Sequence, residues 1–259
     1  MSDTPAAAPA ASPLGDLFTG NAASLAVRPP SWSRQARPLR GLHRWFSGAL
    51  LIYLVTELLL GAMAAYQYWG FRDLQSGAEW DDIQYTVFDL VSGLGSGGFG
   101  IASLVLFITC IFLYCRFVYR AMKNLHLSNA RGELMEPAWA AAYAFIPILN
   151  LWKPHQAMRQ IWRSSVDPRA GARNPPATFW GWWLLYLAAN GIANISFRMT
   201  MESGGFGEEI TNLDLYVDSF LFDVASSIAM VGSILFLRPI IRDITDAQDT
   251  LSAASEFDA

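Results

Sequence analysis

The sequence predicts an all-α integral membrane protein, with four transmembrane helices plus a cytoplasmic-side re-entrant or interfacial hairpin; five transmembrane helices is the alternative. Three observations predict it. Charged residues are only 15% of the 259 and hydrophobic ones 53%, whereas an average soluble domain is about 25% charged. Four apolar runs are long enough to cross a hydrocarbon core of ~30 Å, which takes about 20 helical residues. The 18 basic residues are shared so unevenly among the loops that they set an orientation.

The elements follow in order. Residues 1–44 are rich in Ala, Pro and Ser and contain no apolar signal-peptide core, so they read as a disordered cytoplasmic tail. The first span is 45–69, WFSGALLIYLVTELLLGAMAAYQYW, with aromatic residues at both ends where an interfacial belt sits. The second is 97–115, GGFGIASLVLFITCIFLYC; the third is 179–197, FWGWWLLYLAANGIANISF; the fourth is 218–237, DSFLFDVASSIAMVGSILFL. These spans and the hairpin make one membrane domain over 45–245. Residues 246–259 read as a flexible acidic tail, because few large apolar side chains follow Ile244.

The stretch 137–154, PAWAAAYAFIPILNLWKP, is the ambiguous one. If it stays on one side, 16 basic residues are cytoplasmic and 2 are outside; if it crosses, the division is 10 against 8. The positive-inside bias favours the first arrangement, which places both termini in the cytoplasm. Pro137 suits the first turn of a helix, whereas Pro147 removes a donor and disfavours helix at Ile146. The following KPHQAMRQIWRSS is amphipathic. Leu151, Ala157, Met158, Ile161 and Trp162 share one side, and Lys153, Gln156, Gln160 and Arg163 the other. The re-entrant or interfacial unit is therefore expected over 137–163. Pro147, Asn150, Trp152, Lys153, Arg159 and Arg163 are its candidate headgroup contacts, with anionic lipid as the partner.

RFVYRAMKNL (116–125), PAWAAAYAFIPILNLWKPHQAMRQIWRSS (137–165) and WWLLYLAANGIANISFRM (182–199) resemble a family of bacterial polytopic membrane proteins known as domain of unknown function 4328. The resemblance covers roughly 45–245, with NLWKP and NISFR its most specific parts. It departs at His155, where the family pattern leads one to expect Tyr. It implies a multi-pass protein of the bacterial inner membrane and brings no activity, substrate or cofactor.

Polar side chains inside spans are costly and are candidate functional residues. By helical rise Glu57 lies ~20 Å from the cytoplasmic boundary, Asn190 ~16 Å, Asn194 ~22 Å and Asp223 ~22 Å. Asn190, Asn194 and Arg198 are spaced i, i+4, i+8 as one expected polar stripe. Two readings stand. In one, these residues pair with Asp223, Ser226 and Ser227 to hold two helices together, with Arg198 as the counter-ion of Asp223. In the other, Glu57 and Asp223 form a proton, cation or small-polar-ligand site. No basic residue in any span matches the depth of Glu57.

The remaining signals are weak. GLGSGGFG (93–100) lacks the Lys-Ser/Thr of a phosphate loop and suits close packing or a flexible helix start. SGGFG recurs at 203–207. His43, His126 and His155 are scattered, and Cys110 and Cys115 have no zinc spacing, so no metal or cofactor is expected. The net charge of −4 argues against a nucleic-acid partner. No catalytic constellation is recognised. The expected function is a non-enzymatic accessory or sensor component working through helix and lipid contacts, as a homo-oligomer or with a larger membrane partner. A small transporter or channel-like protein is the alternative, and a lipid-modifying membrane enzyme the weaker one.

Overall fold

The computed structural model describes residues 37–127, 133–166, 176–205 and 210–257. The side chains of 95–97 and 251–257 are also outside this description, as are most of the N-terminal tail and the basic residues Arg169 and Arg173. Every regular element among the described residues is helical. Helix α1 is Arg40–Gln75, α2 Asp82–Gly93, α3 Gly100–Leu127, α4 Pro137–Ala142, α5 Lys153–Val166, α6 Thr178–Glu202 and α7 Leu213–Phe257. Among the described residues, three helices are long and apolar enough to cross a membrane: α1, α3 and Leu213–Thr250 of α7. α6 is 25 residues long, but its Trp and Asn residues keep it out of that group.

Helix ends follow local chemistry. Asp81 and Gln84 form a reciprocal capping box at the start of α2, with the Gln84 backbone N–H donating to Asp81 Oδ1 at 2.7 Å and the Asp81 N–H to Gln84 Oε1 at 2.8 Å. A π-helical turn, Leu94–Phe99, carries α2 into α3. A methyl group at Gly93 or Gly98 would meet nothing within 4 Å, so close packing does not explain those glycines. The second SGGFG differs: Gly204 has φ +82°, and a methyl at Gly205 would strike the Tyr216 ring at 2.7 Å.

The long helices form an open row. α7 lies at its centre against both α6 and α1, and α1 packs in turn against α3. No comparable contact joins α3 to α6 or α7, or α1 to α6. Small residues bring α7 close to its neighbours: a methyl at Gly61 of α1 would meet Ser227 Cβ at 3.1 Å, and one at Gly232 would meet Leu185 at 2.9 Å.

The ambiguous stretch fills one end of the gap that this row leaves. α4 is only six residues long, and 3₁₀ turns at Tyr143–Phe145 and Leu149–Leu151 follow it. Ile146 is extended, as its position before Pro147 demands. Pro154 lies in the first turn of α5, where its missing donor has no partner to lose. α4 packs on α3, and α5 on α7 and α3. Trp183 Nε1 donates to Leu151 O at 2.8 Å and Tyr114 Oη to Pro154 O at 3.2 Å, tying the irregular backbone to α6 and α3. The apolar face of α5 (Ala157, Met158, Ile161 and Trp162) is buried in the protein, so it is not available to lipid. Leu151, assigned to that face from the sequence, is instead 53% exposed.

Two boundaries lie beyond the expected ones. α3 continues past residue 115, because Phe117, Val118, Ala121, Met122 and Leu125 supply a helical stripe that is fully or almost fully buried. α7 runs on through the stretch expected as a tail. Ile241, Ile244, Thr245 and Gln248 are all buried at helical spacing, and Asp249 accepts from the Leu39 amide at 2.9 Å where α1 begins.

Candidate functional site: a polar cavity between the helices

A cavity of about 740 Å³ occupies the other end of the gap, bounded by α1, α3, α6 and α7 and by Ser92 and Gly93 at the end of α2. Glu57 of α1 stands on its wall and is only 7% exposed. Its Oε1 accepts from Ser103 Oγ at 2.7 Å and its Oε2 from Ser227 Oγ at 3.3 Å. Asp223 of α7 lines the same cavity and accepts from Ser196 Oγ at 2.5 Å. Asn190 lines it too, with its amide nitrogen donating back to Tyr186 O at 2.8 Å. Ser226 Oγ donates to Ala189 O at 3.0 Å.

The expected stripe on α6 does not hold together. Asn190 faces the cavity, whereas Asn194 and Arg198 are outside it and pair with each other, Arg198 Nε donating to Asn194 Oδ1 at 3.0 Å. The reason is helical drift: each four-residue step overshoots a full turn by ~40°, so two steps rotate the face by ~80°. Arg198 is therefore not the counter-ion of Asp223; a serine hydroxyl takes that place. Sequence reasoning missed Ser103 and Ser196, because a lone serine in an apolar run gives no sign of its partner. Gln67, 7% exposed and on the cavity wall, was also missed.

Among the described residues, no Lys, Arg or His lines this cavity, and no group of three metal-ligating side chains occurs. The carboxylates meet hydroxyl donors only. Each carboxyl group has more acceptor sites than its one or two serine hydroxyls fill, so both keep capacity toward the cavity.

A second cavity of about 80 Å³ continues toward α4 and α5. Tyr53, Phe107 and Met230 line both and stand between them. Asn150 and Pro154 close its far side beside Trp182 and Trp183. Of the other hairpin candidates, Pro147 and Trp152 are exposed, Arg163 is exposed on the outer face of α5, and Arg159 is half-buried. Lys153 Nζ lies 5.6 Å from the Tyr143 ring centroid. His155 is 3% exposed between Trp180 and Trp183, its ring centroid 4.4 Å from that of Trp180. Burial first, and Arg159 second, push its pKa down from 6.5 to about 4.

The family described as domain of unknown function (DUF4328) matches residues 90–246. The chain belongs to this family. No curated protein and no solved structure matches it. The DUF4328 match is narrower than the resemblance over 45–245, since it begins in α2 and leaves α1 out. It therefore includes Ser103, Asn190, Ser196, Asp223 and Ser227, together with the whole of α4 and α5, but not Glu57. One carboxylate of the cavity lies inside the DUF4328 region and the other is supplied by the helix before it.

Proposed function

We propose that this DUF4328 protein is a multi-pass protein of a bacterial cytoplasmic membrane that binds a small organic cation, as a non-enzymatic sensor or accessory component. The observation that carries the reading is the pairing of Glu57 and Asp223 on one cavity, with hydroxyl partners and no basic lining residue. Such a wall favours a donor-rich, positively charged guest. A bare metal ion is a poor fit, because it needs several oxygens within about 2.6 Å. The volume of about 740 Å³ suits an organic molecule, for which pockets of about 300–1,000 Å³ are usual. Tyr53, Phe107, Tyr216 and Phe220 put aromatic rings on the lining, the side chains that attract an ammonium.

In this arrangement α6 spans the membrane along with α1, α3 and α7, at ~38 Å long enough to cross. Both termini and the α4–α5 hairpin are cytoplasmic, with Lys153, Arg159 and Arg163 toward anionic headgroups. A transport reading draws on a separate observation, the two cavities in line behind Tyr53, Phe107 and Met230.

The test is thermal unfolding of the purified protein in nanodiscs with ethylammonium and related amines. At a hundred times its dissociation constant a ligand stabilises by about 2.7 kcal/mol, a rise of several degrees. That rise is expected in the wild type and absent in Glu57→Gln and Asp223→Asn; no response to any amine would overturn the reading. Topology is tested by single cysteines at the exposed positions Glu79 and Gln156, with Cys110 and Cys115 replaced by alanine. They should react with an impermeant reagent from opposite sides.

A further inference from the structure

The cavity wall is polar, but its open side is not. α3 and α6 stand at the two ends of the helix row; near the hairpin Tyr114 and Trp182 bring them together, ring centroids 6.2 Å apart, but their backbones do not pack as neighbours in the row do. The cavity lies in that gap, above the hairpin. Its lips are Leu104 on α3 and Phe197 on α6, 58% and 54% exposed. In the four-span arrangement Leu104 is ~18 Å above Arg116 and Phe197 is near the outer margin of the bilayer. The opening therefore faces lipid chains from mid-depth outward, and a route through it passes apolar side chains before reaching the carboxylates.

We infer that the guest is an amine-headed amphiphile that enters sideways from the bilayer between α3 and α6. Its ammonium donates to Glu57 and Asp223, and its alkyl chain leaves across Leu104 and Phe197. Three features converge on this chemistry. The two carboxylates select a cationic donor over a neutral or anionic head. The cavity is far larger than an ammonium group alone would fill. The lips match an alkyl chain, which pays no desolvation cost in passing from lipid into an apolar mouth. This inference rests on the amine-binding reading and narrows it to ligands held in the membrane.

The experiment uses the full chain in phosphatidylcholine nanodiscs with two photoreactive probes, dodecylamine and dodecanol, each carrying a diazirine at the chain end. The amine should label peptides containing Leu104 and Phe197 at least about tenfold more than the alcohol does, the scale of a charge-assisted hydrogen bond. Glu57→Gln should bring amine labelling down to that of the alcohol. The comparison of probes on the wild type does not depend on how any variant folds. Equal labelling by the two probes, or labelling spread around the outer faces of all the helices, overturns the inference. If that occurs while aqueous ethylammonium still stabilises the wild type and not Glu57→Gln, the cavity takes a soluble cation and only lateral access fails. If neither ethylammonium nor the amine probe responds to Glu57→Gln, both readings fall.

Discussion

The two halves of the helix row use the same kinds of polar side chain to opposite ends. In the half that holds α4 and α5, the amides are matched to protein partners. Gln248 donates to Ser165 Oγ at 2.9 Å and to Ala121 O at 3.3 Å, and accepts from Asn124 Nδ2 at 3.0 Å. Asn124 in turn donates to Arg37 O at 3.1 Å. These bonds join α3, α5 and α7 and the chain leading into α1, and both amides are buried. In the other half the hydroxyls are matched, but the carboxylates they serve face a cavity. Polarity in the first half closes the structure, and in the second it leaves acceptor capacity for a guest.

The comparison breaks first at Gln248. Gln248→Leu leaves one N–H of the Asn124 amide and the Ser165 hydroxyl without the partner they have here, while Ala121 O keeps its helical donor. At about 1–3 kcal/mol for each stranded group, the total cost is about 4 kcal/mol. Chemical unfolding in mild detergent measures it. A loss below about 1 kcal/mol would mean that the network does not hold this half together.

A slightly smaller effect is expected at His155, in the same half. Its pKa is lowered to about 4 from an ordinary 6.5 by burial and then by Arg159, so the folded state keeps it neutral. Above pH 6.5 neither the folded nor the unfolded chain protonates it. As pH falls from 6.5 toward 4 the unfolded chain takes up a proton that the folded chain refuses, and stability drops by up to about 3 kcal/mol. His155→Phe keeps a ring beside Trp180 and removes the titration. Its stability should change less than that of the wild type between pH 6.5 and 4. Parallel pH profiles would show that the folded protein protonates His155 as readily as the unfolded chain does.

How much of this was legible in the sequence depends on which force fixes each feature. Hydrophobic runs and the Pro147 break are local, so the long helices and the interrupted stretch at 137–154 could be read directly. The buried end of α7 could not, because Gln248 and Thr245 look like surface residues until their partners from other helices are known. The same holds at the cavity. Glu57, Asn190, Asn194 and Asp223 stood out by cost alone, and depth put Glu57, Asn194 and Asp223 at one level; the cavity takes Asn190 and leaves Asn194 out. What failed was the rotation about each axis. Asn194 and Arg198 turn away from Asn190 by accumulated drift, and the supposed ion pair with Asp223 went with them. Ser103, Ser196 and Gln67 were missed because their meaning lies wholly in which helix they face.

The smallest stability effect, and the sharpest contrast, is expected from Glu57→Gln. A glutamine side chain keeps the shape of the acid. Its carbonyl oxygen still accepts from one of Ser103 and Ser227, and the other hydroxyl can turn to donate elsewhere while accepting from the new amide. No basic lining residue among those described loses a partner. The ligand-free protein should therefore lose less than about 1 kcal/mol, against the cost expected at Gln248. A guest, by contrast, loses one of its two charged acceptors, so the same substitution should remove most of any amine-dependent stabilisation. Unfolding measured with and without amine separates the two quantities. A large loss without ligand would place Glu57 with Gln248, as a group whose work is to hold helices together, and the distinction between the halves would disappear.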